Sequence, residues 1–412
     1  MRKMTVGARR GLPWTIPFLF AASWPSLAES QDARVIELSA AQPAARGTPV
    51  ECALPAGAPF PSPAVLCPPG GNPVPLQILE GNPPAAFWIL ERDMEAGEKR
   101  EYRLEKAAGA PGLPRVECRD VDGRHLVFRA GDRDVLRYNY GTIQPPAGVD
   151  EVFARSGYLH PVWTPGGRVI TNDFPAKHLH HHGIWFPWTS SEFEGRKSDF
   201  WNSKSKQGKV ECLKVEGTFS GPAMGGFRAR HRFTNLNAPD GPRAALDETW
   251  EVRVWAHRET FLFDLVSVQT CATPSPLVIK KYYYGGLGFR GSADWEGKQG
   301  VEFLTSEGRK RTDGNATPAK WCIMTGKVEG KEASIGFLCH PSNFRFPQGM
   351  RLHPDEPFFN WAPSQGGDFE IQPGKPYVSR YRFVVRDGPL AAAEMDLRWA
   401  EYAEPPRASL KK

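Results

Sequence analysis

Five of the ten histidines of this 412-residue chain fall between positions 160 and 182: His160, His178, His180, His181 and His182. Directly behind them come Trp185, Phe186, Trp188, Phe193, Phe200 and Trp201, with Asp173, Glu192, Glu194 and Asp199 interleaved. An imidazole beside a carboxylate makes a general acid–base pair. Three imidazoles that converge bind a divalent metal. Aromatic rings stack on the C–H faces of a sugar while Asn, Asp and His take its hydroxyls. Each residue also has a plainer reading, a Trp as core and a His as a hydrogen-bonded structural group. The density of the cluster is what marks residues 170–202 as a site. If the histidine run is a strand, side-chain alternation puts His178, His180 and His182 on one face and His181 on the other.

The elements that must hold these groups read as β-structure. The 41 glycines and 39 prolines punctuate the chain and leave few long helical periods. Residues 75–79 and 87–90 read as strands, and 96–100 as a turn feeding 101–104. They predict a small β-sandwich domain over residues 29–110. An Ala-, Gly- and Pro-rich linker follows at 107–114. Residues 115–390 read as one large unit. Its segments 116–119 and 125–128 flank Asp122-Gly123, a hairpin signal, and 248–256, 259–268 and 377–386 alternate with period two. The helical stretch of note is 390–403, the start of a C-terminal tail or short helix at 391–412. The expected fold class is all-β: a large antiparallel β-supersandwich preceded by a small β-sandwich domain.

Several motifs occur in order: Ser156-Gly157-Tyr158-Leu159-His160-Pro161, Thr171-Asn172-Asp173-Phe174-Pro175, His178-Leu179-His180-His181-His182-Gly183-Ile184-Trp185 and Asp199-Phe200-Trp201-Asn202. Tyr284-Gly285-Gly286-Leu287-Gly288-Phe289-Arg290 and Cys339-His340-Pro341 follow. On these residues the chain resembles the PmoA-like family, exported bacterial proteins of unestablished function. Relatives usually read His-Pro-His-His-Arg-Gly at the histidines, so Leu179 replaces Pro and His182 replaces Arg. The resemblance implies a fold similar to the galactose mutarotase sandwich, and a site, but not methane chemistry. By that analogy His180 or His181 with Asp199 is the acid–base pair at a sugar carbon, and His160, Trp185, Trp201, Asn202 and His340 contact the substrate. Epimerisation, hydrolysis and elimination all need such a pair. Two alternatives stand beside it. In one, a divalent metal held by His178, His180 and His160 polarises a sugar oxygen. In the other, the protein binds glycan without chemistry.

Arg2, Lys3, Arg9 and Arg10, an apolar stretch from Leu12 to Ala22, and Ser26-Leu27-Ala28 read as a signal peptide over residues 1–28. A periplasmic or secreted protein is expected. That segment carries four basic residues and no acidic one, so its removal takes the net charge from +6 to +2. No Lys/Arg block remains to track a phosphate backbone, which argues against nucleic acid as a partner. No stretch approaches the roughly 20 apolar residues of a membrane-spanning helix. The seven cysteines contain no C-x-x-C pair. Cys52 and Cys67 are close enough for a disulfide in an oxidising compartment; otherwise they are small buried hydrophobes.

Overall fold

Alternating apolar residues make the strands of this protein, and strand register then stacks the apolar faces into layers. The computed structural model describes residues 34–81, 83–107, 116–257 and 259–411. The expected export segment, and nearly all of the expected linker, lie outside the described residues. The molecule is all-β, built from antiparallel sheets.

The first sheet runs in the order Pro49–Ala53, Ala85–Ile89, Val74–Leu79, Ala64–Cys67, Lys99–Lys106, Val35–Ser39, Arg407–Leu410. It rolls around its own core, which includes Ile36, Leu38, Val50, Leu66, Trp88 and Tyr102. The last of these strands comes from the far end of the chain. Sequence reading took residues 391–412 as a tail or helix. The helix is there, at Ala392–Ala403, but the chain then turns back into a strand. Ile36 faces Leu410 and Ser39 faces Arg407 across the new pair. The edge of Val35–Ser39 needs hydrogen-bond partners, and Ala408 and Leu410 add to that core.

Two eight-stranded sheets make the large sandwich. The back sheet holds the long strands, among them Met224–Asn235, Arg243–Trp255, Phe261–Cys271 and Tyr377–Asp387. Trp250, Val252, Val254, Phe263, Leu265 and Phe383 point from it into the main core. The front sheet runs Met350–Leu352, Phe358–Trp361, Gly288–Arg290, Ile184–Trp185, Tyr158–Val162, Arg133–Asn139, His125–Ala130, Val116–Val121. Its last two strands are joined by a three-residue connection, Asp122 to Arg124, in which Asp122 and Gly123 are both at positive φ (55° and 61°) and the Arg124 N–H donates to the Val121 carbonyl. A small four-stranded sheet, Arg196–Ser198, Ser191–Phe193, Leu277–Ile279, Phe369–Ile371, flanks the sandwich.

A third apolar cluster lets the first sheet and the helix pack on the back sheet. Phe87 meets Met224, Trp255, Leu262 and Trp321 there, and the helix supplies Met395. Buried Gln77 adds a polar tie, its Oε1 accepting the backbone N–H groups of Ala223 (3.2 Å) and Met224 (2.9 Å). All seven cysteines are free thiols, so Cys52 and Cys67 are not joined. Among the described residues no helix is long and apolar enough to cross a membrane.

Candidate functional site

Four neighbouring strands of the front sheet build the platform: Tyr158–Val162, Ile184–Trp185, Gly288–Arg290 and Phe358–Trp361. Leu159, Ile184, Phe289 and Phe359 form one rung across them and all face the main core. Side chains alternate along a strand, so Tyr158, Trp185, Arg290 and Phe358 project from the opposite, outer face. Tyr158, Trp185, Trp201 and Phe358 form a small apolar cluster on that face, with Ile143 and Tyr284 at its edge. Gly288 makes the room for it. A Cβ there would stand 2.9 Å from Cη2 of Trp201 and 3.2 Å from Cη2 of Trp185, so the bare backbone lets both indoles lie against the strand.

The histidines sit on a loop that leaves this face and returns to it. Asp173 bridges to His182, and the Gly183 N–H donates to the Asn172 carbonyl. Between them, the His178 N–H donates to Pro175 and the His181 N–H to His178, closing two successive turns. The run is therefore not a strand, and the expected alternation of faces is overturned. Local turn bonds, rather than a sheet ladder, aim these side chains. The rings of His178 and His181 stack at 4.8 Å with 11° between their planes. His180 stands edge-on to both, and His181 lies flat on Phe358 at 4.8 Å.

Carboxylates anchor both ends of the run. Asp173 Oδ1 lies 2.7 Å from His182 Nδ1, and its Oδ2 accepts the Tyr158 hydroxyl at 2.6 Å. Glu356 Oε2 stands 2.9 Å from His178 Nδ1, close enough for an ion pair but off the line a hydrogen bond needs. Glu356 also bonds the buried Arg290, whose other partner is Glu296. Burial pushes the Asp173 carboxyl up, but the His182 bond, the neighbouring imidazoles of His182 and His160 and the Tyr158 bond outweigh it and hold the carboxyl below its ordinary value. Burial pushes His182 down by more than Asp173 restores. His180 is half-buried, and no described residue hydrogen-bonds its ring. Burial first, then the charges of His178, His182, Arg155 and Arg290, push it down to about 3. His180 and His182 are therefore neutral at physiological pH. With Nδ1–H given to Asp173, His182 keeps Nε2 as a buried acceptor without a partner.

The structure brings together His178, His180, His181, Trp185 and Trp201. His160 lies beside them: its Nδ1 is 2.9 Å from Thr171 Oγ1, and burial pushes its imidazole down to about 4. Asn202 joins through Tyr284, whose hydroxyl its Nδ2 reaches at 3.2 Å. Asp199 does not pair with either histidine. Its Oδ1 accepts the N–H groups of Trp201 and Asn202 at 2.9 and 2.8 Å, and its Oδ2 accepts Asn202 Nδ2 at 2.7 Å. An Asp side chain is well placed to cap its own turn, and this one is used up in doing so. His340 is elsewhere. It follows the back-sheet strand Lys331–Cys339, bonds Ser342, and packs edge-on against Tyr402 of the helix.

His181 is only 4% exposed, and Trp185 and Trp201 are 0% and 1%, so the two indoles are a buried floor rather than an open stacking surface. The exposed ring nearby is Tyr283, with the Arg351 guanidinium 5.2 Å from its centroid. Among the described residues no three His, Cys, Asp or Glu side chains converge on a point that would hold a metal. The reason is geometric. Of the expected ligands His178, His180 and His160, His178 turns Nδ1 to Glu356, His160 turns Nδ1 to Thr171, and His180 stands edge-on to His178 with 5.7 Å between ring centroids. Sequence reading missed Glu356, Arg155 and His353, which neighbours His178. Nothing near Glu356 and His353 in the chain marked them, whereas Arg155 stands directly before the motif that begins at Ser156. Tyr158 and Arg290 stood in motifs already noted, without a role.

A family model matches residues 125–400, the model of a family described as one of unknown function, DUF6807. That match corrects the motif-based resemblance to the PmoA-like family, which is not the family the chain fits. No curated protein matches the sequence. Among solved structures, a protein in glycosyl hydrolase family 38 from Enterococcus faecalis aligns with 93% of this chain at 10% identity and a TM-score of 0.46. The chain spans 48% of that protein's length. The family match, by contrast, runs over well more than half of the sequence and takes in the histidine loop and every strand of the platform: the protein belongs to the family of unknown function DUF6807.

Proposed function

We propose that this protein performs acid–base chemistry on a sugar or glycoside at the outer face of the front sheet, with His180 as the proton-transfer group. The observation that carries this reading is the state of His180. Its ring is half-buried, free of hydrogen bonds from the described residues, and set edge-on against His178 and His181. A general base needs a free lone pair, and its neighbours must not move. His182 and Asp173 supply the fixed wall, with Tyr158 bonded behind Asp173. Half-buried Asn202 and Tyr284 offer polar contacts for hydroxyls, and the Tyr283 ring offers a face for C–H stacking. His181 is buried and stacked between His178 and Phe358, so it is a positioning residue here. Export through residues 1–28 belongs to the same reading, and N-terminal sequencing of the exported protein would check it.

The test is turnover against a panel of oligosaccharides and reducing sugars. His180→Gln keeps size and hydrogen bonding but removes the titratable nitrogen. Turnover should fall about 100-fold or more with the fold intact, the usual contribution of such a group. Full activity in His180→Gln, or no turnover of any sugar by the wild type, would sink the proposal.

A further inference from the structure

Among the described residues, nothing hydrogen-bonds or ion-pairs with the Arg155 side chain. Its residue is 5% exposed, and Nε and Nη2 are both buried without a hydrogen-bond partner. Burial pushes its guanidinium down only to about 10, so it remains a cation at neutral pH. The carboxylates nearest in charge are spoken for. Glu248 is bonded by His231, Ser267 and Gln269, and Asp173 by Tyr158 and His182. A buried charge without a partner is costly, so a fold retains one chiefly where something else will pair with it.

The free edge of this guanidinium is specific. Nε and Nη2 form the side of the fork that receives a carboxylate through two parallel bonds. The same edge of Arg232 takes both oxygens of Asp247, at 2.7 and 3.0 Å, and that of Arg382 takes both oxygens of Asp264, at 2.6 and 2.9 Å. In Arg155 it has no such partner. Its place is also specific. The backbone of Arg155 bridges to Ile143, which packs on the cluster of Tyr158, Trp185, Trp201 and Phe358. Its charge acts on both His180 and His182. The Trp185 indole N–H is a second buried donor without a partner. The charged groups that act on His180 are all cationic or imidazole: His178, His182, Arg155 and Arg290. The guanidinium edge of Arg155 and the Trp185 indole N–H are thus buried donors left unused beside carboxylates, Asp173 and Glu356, that already have partners.

We infer that Arg155 anchors a carboxylate of the substrate through its Nε–Nη2 edge, and that the sugar is therefore an acidic one of the uronate class. This rests on the sugar reading of the His180 site. A sulfate or phosphate ester would offer the same oxygen pair, so the experiment separates them.

Calorimetric binding to the full chain would compare uronate disaccharides with the same disaccharides reduced to neutral sugars, and with inorganic sulfate and phosphate. The expected result is at least tenfold tighter binding of the uronates than of the neutral sugars, with inorganic anions weaker than the uronates. Arg155→Met should abolish that preference and leave neutral-sugar affinity unchanged. It should also melt at the same temperature as wild type or higher, because it removes an unpaired buried charge. A lower melting temperature would mean that the guanidinium is structural and would overturn the inference. So would equal binding of acidic and neutral sugars, or sulfate or phosphate binding as tight as the uronates. A further measurement keeps the two readings apart: the ¹⁵N signal of Arg155 Nε during an acetate titration. If it shifts while no sugar binds or turns over, the anion anchor stands and the sugar reading falls. If neutral sugars turn over but uronates gain nothing, the anchor falls and the sugar reading stands.

Discussion

Two buried arginines near the histidine loop have opposite circumstances, and the contrast predicts opposite mutational behaviour. Arg290 is fully buried and pairs with Glu356 and Glu296. Removing one charge of a buried pair leaves the other uncompensated, which costs about 3–5 kcal/mol. Glu356→Gln should therefore lower the urea midpoint substantially, softened toward the low end of that range because Glu296 remains. It also removes the group beside His178, so the histidine loop should loosen with it. A Glu356→Gln protein as stable as wild type would mean that Arg290 draws its compensation elsewhere. Arg155, with no such partner, should tolerate loss of its charge.

At the scale of elements, the loop carrying the histidines depends on how it rejoins the sheet. Gly183 sits between His182 and the strand Ile184–Trp185, at φ +32°. A Cβ there would stand 2.0 Å from the carbonyl oxygen of Leu159 and 2.9 Å from the Cβ of His160. The obstacle is backbone of the neighbouring strand, which pairs Leu159 with Ile184 and cannot swing aside. Gly183→Ala should cost at least about 2 kcal/mol through clash and positive-φ strain. The disturbance should appear first at His182 and His160, as altered imidazole NMR signals. Wild-type stability with unchanged imidazole signals would show that this strand entry is softer than its contacts indicate.

At the scale of the molecule, the histidines as a set predict the response to acid. Burial, the first cause in each case, pushes His160 to about 4, His180 to about 3 and His257 to about 4, and lowers His125, His181, His182, His340 and His353. The unfolded chain takes up these protons near pH 6.5, while the folded chain resists them. The stability these groups contribute is thus complete above about pH 6.5 and falls away as the pH drops toward their folded values. One fully buried histidine costs about 2 kcal/mol between pH 7 and pH 5 on this basis. His231 acts the other way. Burial pushes it down, but bonds to Cys212 and Glu248 outweigh burial and raise it, so its contribution is present at low pH and lost as the pH rises through its folded value. One against eight leaves the net sign clear. The urea midpoint should fall steadily from pH 7 to pH 5; a midpoint that held or rose would contradict the neutral, buried state of the cluster.

Local rules were enough for part of this architecture. Period-two alternation is visible in residues 248–256, 259–268 and 377–386 because each strand turns alternate residues into the main core, and Asp122-Gly123 marks a turn because its φ angles demand those residues. The density of histidine and aromatic residues between 160 and 202 marked the region of the site for the same reason: those residues are neighbours in the chain. Which groups act on one another was a different matter. Asp199 looked like the partner of the histidines because it is near in sequence, yet its oxygens close its own turn. Glu356 and Arg290 reach the cluster only because sheet pairing lays distant strands side by side. The indoles became a buried floor because Gly288 lets them lie on the strand and Phe358 packs beside them. The final strand left the tail because Val35–Ser39 offered it an open edge. Alternation and turn chemistry are local and are written in consecutive residues, whereas burial, charge pairing and sheet edges depend on what the rest of the chain brings near, and that only the tertiary structure decided.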